Sequence, residues 1–202
     1  MFGASVDSLT DQFLSDPIHS ALRATLTHAE STCVSRVGWR SAVRRCFMVD
    51  DGCTVEGYQS DITRTFVLGK ATDKMRKIFD IVHRAQTAAL QAAKPGVPLE
   101  DIDAAGRRVI VDAGYGPGFT YFTHRLGHGL GMDGHEWPYL VKNNMFGWQK
   151  ALTLQPGMVF SDEPGIYIRG EFGVRLEDDM HITPDGAELF TPQSRSIDAP
   201  FG

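Results

Sequence analysis

The sequence is poor in the features that mark secreted, membrane-spanning and nucleic-acid-binding proteins. Its three cysteines, Cys33, Cys46 and Cys53, are an odd set without C-x-x-C spacing, which favours a reducing compartment over a disulfide framework. No apolar run is long enough to span a bilayer. The amino end lacks the basic start and apolar stretch of a secretion signal, so we expect a cytoplasmic protein without a membrane partner.

The sequence also lacks an excess of basic residues. The 202 residues carry a formal net charge of -5 without a basic stripe, which argues against nucleic acid as a partner. Hydrophobic residues make up 42%, an ordinary share for a globular protein, and the length fits one domain with a sizeable core. These properties predict a soluble, single-domain protein.

Residues 47–69 have the pattern of a β-hairpin that holds two aspartates. β-branched and aromatic residues follow Asp61, as is typical of strands. If Cys53 pairs with Tyr58, Asp50 lies directly across the ladder from Asp61, with Cβ atoms about 5 Å apart on one face. Either aspartate alone could be a turn-flanking acid or a polar start to a strand. As a buried pair, however, they need a cation between them.

The hydrophobic patterns in the rest of the chain predict further strands and helices that pack on a sheet. Thr72 is placed to cap an amphipathic helix, and Arg175 and Glu177 alternate with apolar residues, so that they share one face of a strand. The predicted elements are a hairpin turn near 54–57, helices at about 72–94 and 99–113, and strands at 158–163 and 173–183. Strands in runs with helices between them indicate an α+β fold with a curved, mostly antiparallel sheet.

Three further stretches carry residues of the types that bind metals. They are the histidines of HRLGHGLGMDGHE (His124, His128 and His135), Glu163 in FSDEPGIY and Glu177 in GVRLEDD. Each alone could face solvent, on a glycine-rich loop, at a bend or on a half-buried strand. Four carboxylates with imidazole nitrogen suit a pair of divalent ions such as Mn, Co, Fe or Zn. Their charges balance two divalent cations, whereas the same cluster without metal repels itself.

The four motifs, in this order, resemble the pita-bread metallopeptidase family, which includes methionine aminopeptidases, Xaa-Pro aminopeptidases and Xaa-Pro dipeptidases (prolidases). The resemblance runs from about Phe47 to the carboxyl end and implies a pita-bread fold, with residues 47–202 as the catalytic domain. The SDITRT run at 60–65 and the GVRLEDD run at 173–179 are most similar to the proline-directed branch.

The resemblance also implies a role for each site residue. The implied metal ligands are Asp50, Asp61, His128, Glu163 and Glu177, with Asp61 and Glu177 bridging two ions, of which Mn is the first expectation. The implied catalytic residues are Glu163 as general base and His124 and His135 as contacts to substrate and oxyanion. Tyr167 and Arg175 match positions beside the ligands, where an arginine orients a carboxylate. For these last two, a surface tyrosine and a surface arginine are the alternative.

The implied reaction is hydrolysis of the bond between an amino-terminal residue and a following proline in a peptide substrate. A hydroxide bridging the two metals attacks the carbonyl, and Glu163 passes the proton to the leaving nitrogen. The resemblance leaves open whether the enzyme is a dipeptidase or an aminopeptidase, and whether it forms a homodimer as many relatives do.

Residues 1–46 depart from the family's pattern. The stretch 33–46, CVSRVGWRSAVRRC, holds four arginines, no acidic residue and no clear period, and Cys33 stands where the family has a P-H dipeptide. Our hypothesis is that part of residues 1–46 is a frameshifted or degenerate segment. The alternative function is therefore a catalytically impaired, truncated family member that acts at most as a metal-binding or protein-binding module.

Overall fold

Residues 45–142 and 152–201 are described by the structure of the chain, a computed structural model. The elements within them are β1 (Arg45–Asp51), β2 (Thr54–Val55), β3 (Tyr58–Gln59), β4 (Ile62–Leu68), α1 (Asp73–Ala92), α2 (Leu99–Asp112), β5 (Gly127–Gly129), β6 (Glu136–Leu140), β7 (Val159–Asp162), β8 (Gly165–Ile168), β9 (Phe172–Arg175), β10 (Asp178–Ile182) and β11 (Ala187–Leu189). All but two residues of the predicted degenerate segment lie outside the described ranges. That hypothesis and the domain boundary at 46/47 stay predictions.

The strands form one larger sheet and three strand pairs. The five-stranded sheet has the order β11-β10-β7-β5-β6, and β1-β4, β2-β3 and β8-β9 are the pairs. Every pairing between these strands is antiparallel. With two helices packed against them, the described residues have the α+β architecture that the sequence predicts.

Both predicted helices are confirmed. The Thr72 hydroxyl accepts a hydrogen bond from the Met75 backbone N–H at 3.1 Å and so caps α1. The predicted apolar stripe of α1 is buried in the core with α2 and the inner faces of the strands; it consists of Met75, Ile78, Phe79, Val82, Ala89 and Ala93. In the described part of the chain, no helix has the length and apolar character needed to cross a membrane.

The predicted register of the hairpin is wrong by two residues. Asp50 pairs with Thr63, not with Asp61. The cause is the turn, which contains only Glu56 and Gly57, at φ 53° and 91°; two residues with positive φ form the tight turn that matches strand twist. A shift of two residues keeps every side chain on its face, so Asp61 stays on the side of Asp50.

The predicted strand at 173–183 is interrupted. β9 pairs with β8, whereas β10 pairs with β7, and the chain changes partner at Leu176 and Glu177. The Glu177 N–H donates instead to the Thr63 carbonyl at 3.2 Å, which ties this junction to β4. The alternation of side chains continues across the junction, and Arg175 Nε lies 3.8 Å from Glu177 Oε2 on the shared face that the sequence predicts.

The close approach of β5 and β7 depends on Gly127, and this can be tested. A Cβ at Gly127 would lie 1.9 Å from the Ser161 carbonyl oxygen. We expect Gly127→Ala to lower the unfolding free energy by about 1–3 kcal/mol, because the backbones of β5 and β7 must move apart to admit the methyl group. Thermal unfolding followed by circular dichroism measures this. In the control Gly186→Ala, the added Cβ meets nothing within 4 Å. Equal stability of the two variants would contradict the packing described.

Candidate metal centre

The structure brings the five predicted metal ligands together from five separate segments. Asp50 lies near the end of β1 and Asp61 just before β4, while His128 is the middle residue of β5. Glu163 follows β7, and Glu177 lies at the junction between β9 and β10. The centre therefore forms where the two-stranded β1-β4 pair meets the five-stranded sheet.

Three overlapping groups of side chains make up the centre. They are Asp50-Asp61-Glu177, His128-Glu163-Glu177 and Asp61-His128-His135, and within each group one ligand atom per residue lies within 4.8 Å of the others. Because Asp61, His128 and Glu177 each belong to two groups, the three groups form one continuous cluster.

His128 provides the test of whether these residues fit a metal ion. Its ring is fully buried, and Nδ1 lies 3.0 Å from the Gly129 carbonyl oxygen, which can only accept, so Nδ1 carries the proton. Nε2 therefore presents a lone pair, has no hydrogen-bond partner, and lies 3.4 Å from Glu163 Oε1 and 3.7 Å from Asp61 Oδ2. A buried lone pair facing carboxylate oxygens is unfavourable unless a cation lies between them. The donor set fits a divalent ion.

The carboxylates respond strongly to being buried together. Burial raises the pKa of Asp61 to about 9, and the charges of Glu177 and Asp50 add to the rise. Burial also raises the pKa of Glu177 to about 7 and that of Glu163 well above its ordinary value. Burial has the opposite effect on His128, whose pKa falls to about 3, so its ring is neutral. Bound cations would reverse the effect on the carboxylates by favouring their charged forms.

Arg175 and Thr63 orient two of the carboxylates. Arg175 Nη2 forms an ion pair with Asp50, and its Nε donates to Thr63 Oγ1 at 3.0 Å. Thr63 Oγ1 in turn donates to Glu177 Oε2 at 2.5 Å. The sequence predicted this role for Arg175 but not for Thr63. The available signal was its position two residues after Asp61, on the same face of a strand.

A buried ion pair on the other side of β4 holds the backbone of the Glu177 junction. Arg64 Nη2 lies 2.6 Å from Asp178 Oδ1, and Nη1 donates to the Glu177 carbonyl at 2.8 Å. Asp178 accepts further hydrogen bonds from Gln86 Nε2 at 2.9 Å and Thr191 Oγ1 at 2.8 Å. Sequence reasoning missed this network, since an arginine in a strand is ordinarily exposed.

The three remaining predicted site residues lie at the rim of the centre. His124 Nε2 lies 2.8 Å from the Tyr167 hydroxyl, and its Nδ1 is 2.7 Å from the Arg125 carbonyl and 3.9 Å from Glu163 Oε2. Burial lowers the pKa of His124 to about 4. The exposed His135 ring packs edge-on against His128, with centroids 4.1 Å apart. Their predicted contacts with substrate stay predictions.

The link through Thr63 predicts a specific effect on metal affinity. Thr63→Val keeps the size of the side chain but removes the hydroxyl between Arg175 and Glu177, so Glu177 loses its orientation. We expect the affinity for Mn²⁺ to fall about 10- to 100-fold, as measured by calorimetric titration. The control Thr54→Val, at an exposed threonine of the β2-β3 hairpin, should leave the affinity unchanged. Unchanged affinity in a folded Thr63→Val protein would contradict this role.

The raised carboxyl pKa values predict how stability depends on pH. The pKa of Asp61 rises from 3.8 to about 9 and that of Glu177 from 4.5 to about 7, so the folded chain binds these protons more tightly than the unfolded chain. Their contribution to stability is present below the unfolded values and is lost as pH rises through the folded ones. Urea unfolding in chelator should therefore show falling stability from about pH 5 to 9. Asp61→Asn should flatten this slope, and a slope unchanged by Asp61→Asn would contradict the assignment.

Comparison with known proteins shows which family the chain resembles. The model of metallopeptidase family M24 matches residues 17–184. An Xaa-Pro dipeptidase from Lactobacillus delbrueckii subsp. lactis is 47% identical over 150 residues, which cover 74% of this chain and 38% of the relative. This chain thus spans well under half the length of that curated relative.

Solved structures show the same likeness. The prolidase from Pyrococcus furiosus has a TM-score of 0.67 and 42% identity over 74% of this chain and 42% of its own. An Xaa-Pro dipeptidase from Bacillus anthracis has a TM-score of 0.74 and 28% identity over 93% of this chain and 64% of its own. The α+β pita-bread fold predicted from the sequence is confirmed by these neighbours. With a family match across most of its length and a cluster of candidate metal ligands, the chain belongs to metallopeptidase family M24.

Proposed function

We propose that this chain carries the catalytic centre of an Xaa-Pro dipeptidase, which hydrolyses the bond between an amino-terminal residue and a following proline. The observation that carries the proposal is the buried, unpartnered Nε2 of His128 among the carboxylates. The names of the relatives, Xaa-Pro dipeptidase and prolidase, supply the substrate class. A cytoplasmic location and a homodimer remain expectations from the sequence.

Five residues would hold a pair of divalent ions: Asp50, Asp61, His128, Glu163 and Glu177. Their oxygen-rich donor set with one nitrogen suits Mn first and Co, Fe or Zn after it. When bound, the ions would polarise the scissile carbonyl and lower the pKa of a bound water molecule. The ion pair of Arg175 with Asp50 and the Thr63 hydroxyl would keep the ligand carboxylates in place.

Glu163 is the residue we assign as general base. Its carboxyl lies between His128 and His124, with Oε1 3.4 Å from His128 Nε2 and Oε2 3.9 Å from His124 Nδ1, so one oxygen faces the metal cluster and the other faces the rim. It would accept the proton of the attacking water at a carboxyl oxygen and deliver it to the leaving proline nitrogen. Neutral His124 and exposed His135 would contact the peptide at the rim and orient its carbonyl.

The proposal is tested by hydrolysis of Ala-Pro with added Mn²⁺. The chain should release proline, and a chelator should stop the reaction. Glu163→Gln should lower the rate by at least about 100-fold, because the amide cannot accept the proton. Glu171→Gln is the matched control, since Glu171 is exposed and, among the described residues, its side chain pairs with Lys74.

Two outcomes would contradict the proposal. Near-parental activity of Glu163→Gln would show that another group is the base. A chain that binds Mn²⁺ but hydrolyses no Xaa-Pro peptide would favour the alternative, a metal-binding module without peptidase activity.

A further inference from the structure

The α2–β5 segment, residues 113–126, carries His124 but contains neither helix nor strand. Its backbone groups therefore need hydrogen-bond partners outside a helix or a ladder. Arg107 of α2 supplies three of them. Its Nη1 donates to the carbonyl oxygens of Gly118 at 3.3 Å and Phe122 at 2.8 Å, and its Nη2 donates to that of His124 at 2.8 Å. One side chain thus holds three points of the segment.

The guanidinium of Arg107 is itself held firmly. Asp103, one turn earlier on α2, is buried and accepts from Arg107 Nε and Nη2, each at 2.9 Å, in a two-pronged ion pair. The guanidinium carbon also lies 4.1 Å from the ring centroids of both Phe119 and Phe122. The five N–H groups of a guanidinium match these five hydrogen bonds in number. The contacts therefore define a single orientation for Arg107.

Asp103 also fixes the end of the α2–β5 segment. Its Oδ1 accepts a hydrogen bond from the Leu126 N–H at 2.9 Å, directly before β5. The Leu126 carbonyl oxygen in turn accepts from the Glu163 N–H at 2.9 Å. The ion pair on α2 is thus joined through the backbone to the two residues that face each other at the rim, His124 and Glu163.

The backbone held by Arg107 determines where the His124 ring lies. The ring packs edge-on against Phe122, with centroids 5.0 Å apart, and its Nδ1 lies 2.7 Å from the Arg125 carbonyl oxygen. Both of these contacts are with residues of the same segment. A shift of the segment would therefore move the His124 ring relative to Glu163, whose Oε2 lies 3.9 Å from Nδ1.

We propose that Arg107, oriented by Asp103, is a positioning residue that holds His124 where it orients the peptide carbonyl. The inference rests on the proposed function, in which His124 contacts the substrate. Arg107 acts through its planar fork of N–H groups, and lysine, with three donors on one atom, keeps the charge but cannot reproduce that fork. The competing explanation is that Arg107 only stabilises the fold by satisfying backbone carbonyls.

The test is a double-mutant cycle between Arg107→Lys and His124→Ala, measured on Ala-Pro with the full chain and Mn²⁺. Arg107→Lys alone should lower kcat/KM about 10- to 100-fold, mainly through kcat, because displacing a positioned group has an effect of this size. In the His124→Ala background the same change should alter kcat/KM by less than about twofold, because no ring is left to position. The control Arg108→Gln, at an exposed arginine of the same helix, should leave kcat/KM unchanged.

Losses of the same size in both backgrounds would show that Arg107 only supports the fold, and would overturn the assignment. An unchanged kcat/KM in a folded Arg107→Lys protein would overturn it as well. If Arg107→Lys does not fold, Asp103→Asn takes its place in the cycle with the same expected result. Asparagine keeps an oxygen for the Leu126 N–H but holds the guanidinium more weakly.

A second measurement separates this inference from the proposed function. The NMR signals of the His124 ring nitrogens report the contacts with the Arg125 carbonyl and the Tyr167 hydroxyl without any substrate. They should shift in Arg107→Lys and stay in place in Arg108→Gln. If the unaltered chain hydrolyses no Ala-Pro, the proposed function fails, and a shift of these signals still supports the positioning role. Unshifted signals in a folded Arg107→Lys protein would refute it.

Discussion

The rest of the structure depends on holding like charges close together inside the protein. Buried Glu163 and Glu177 and half-buried Asp61 surround the neutral ring of His128, and each carboxyl has a raised pKa because desolvation and its neighbours oppose its charged form. Without a cation, such a cluster costs free energy that the core must offset. The fold bears this cost at one point, where strands from different sheets meet.

The surroundings of the cluster follow from that constraint. Arg175 and Thr63 hold the carboxylates from one side, while the Arg64–Asp178 pair fixes the backbone of Glu177 from the other.

Another buried carboxyl, that of Asp162, lies next in the chain to Glu163. Neither oxygen of Asp162 has a hydrogen-bond partner, and burial with the charges of Asp178 and Glu177 raises its pKa well above the ordinary value. The surroundings of Asp162 therefore disfavour its charged form.

The local parts of this arrangement could be predicted from the sequence. The cap at Thr72 and the apolar stripe of α1 depend on neighbours in the chain, and they define that helix correctly. The candidate ligands could be named because carboxylates and histidine in ordered motifs carry chemical meaning, and the structure places them within 4.8 Å in overlapping groups.

The non-local parts could not be predicted. The hairpin register depended on whether Glu56 would accept a positive φ, which the sequence does not favour. The break between β9 and β10 is a change of partner that leaves the alternation intact. Arg64 and Thr63 are ordinary strand residues in sequence, and only the approach of β4 to Glu177 gives them their roles.

The central claim is that this cluster is built around a pair of cations. Equilibrium dialysis of the purified chain against Mn²⁺, followed by elemental analysis, tests it most directly, with His128→Ala as the comparison. The account predicts close to two ions per chain and fewer in His128→Ala, which lacks the only nitrogen assigned as a ligand. A folded chain that retains no Mn²⁺, or that retains as much after His128→Ala, would contradict it.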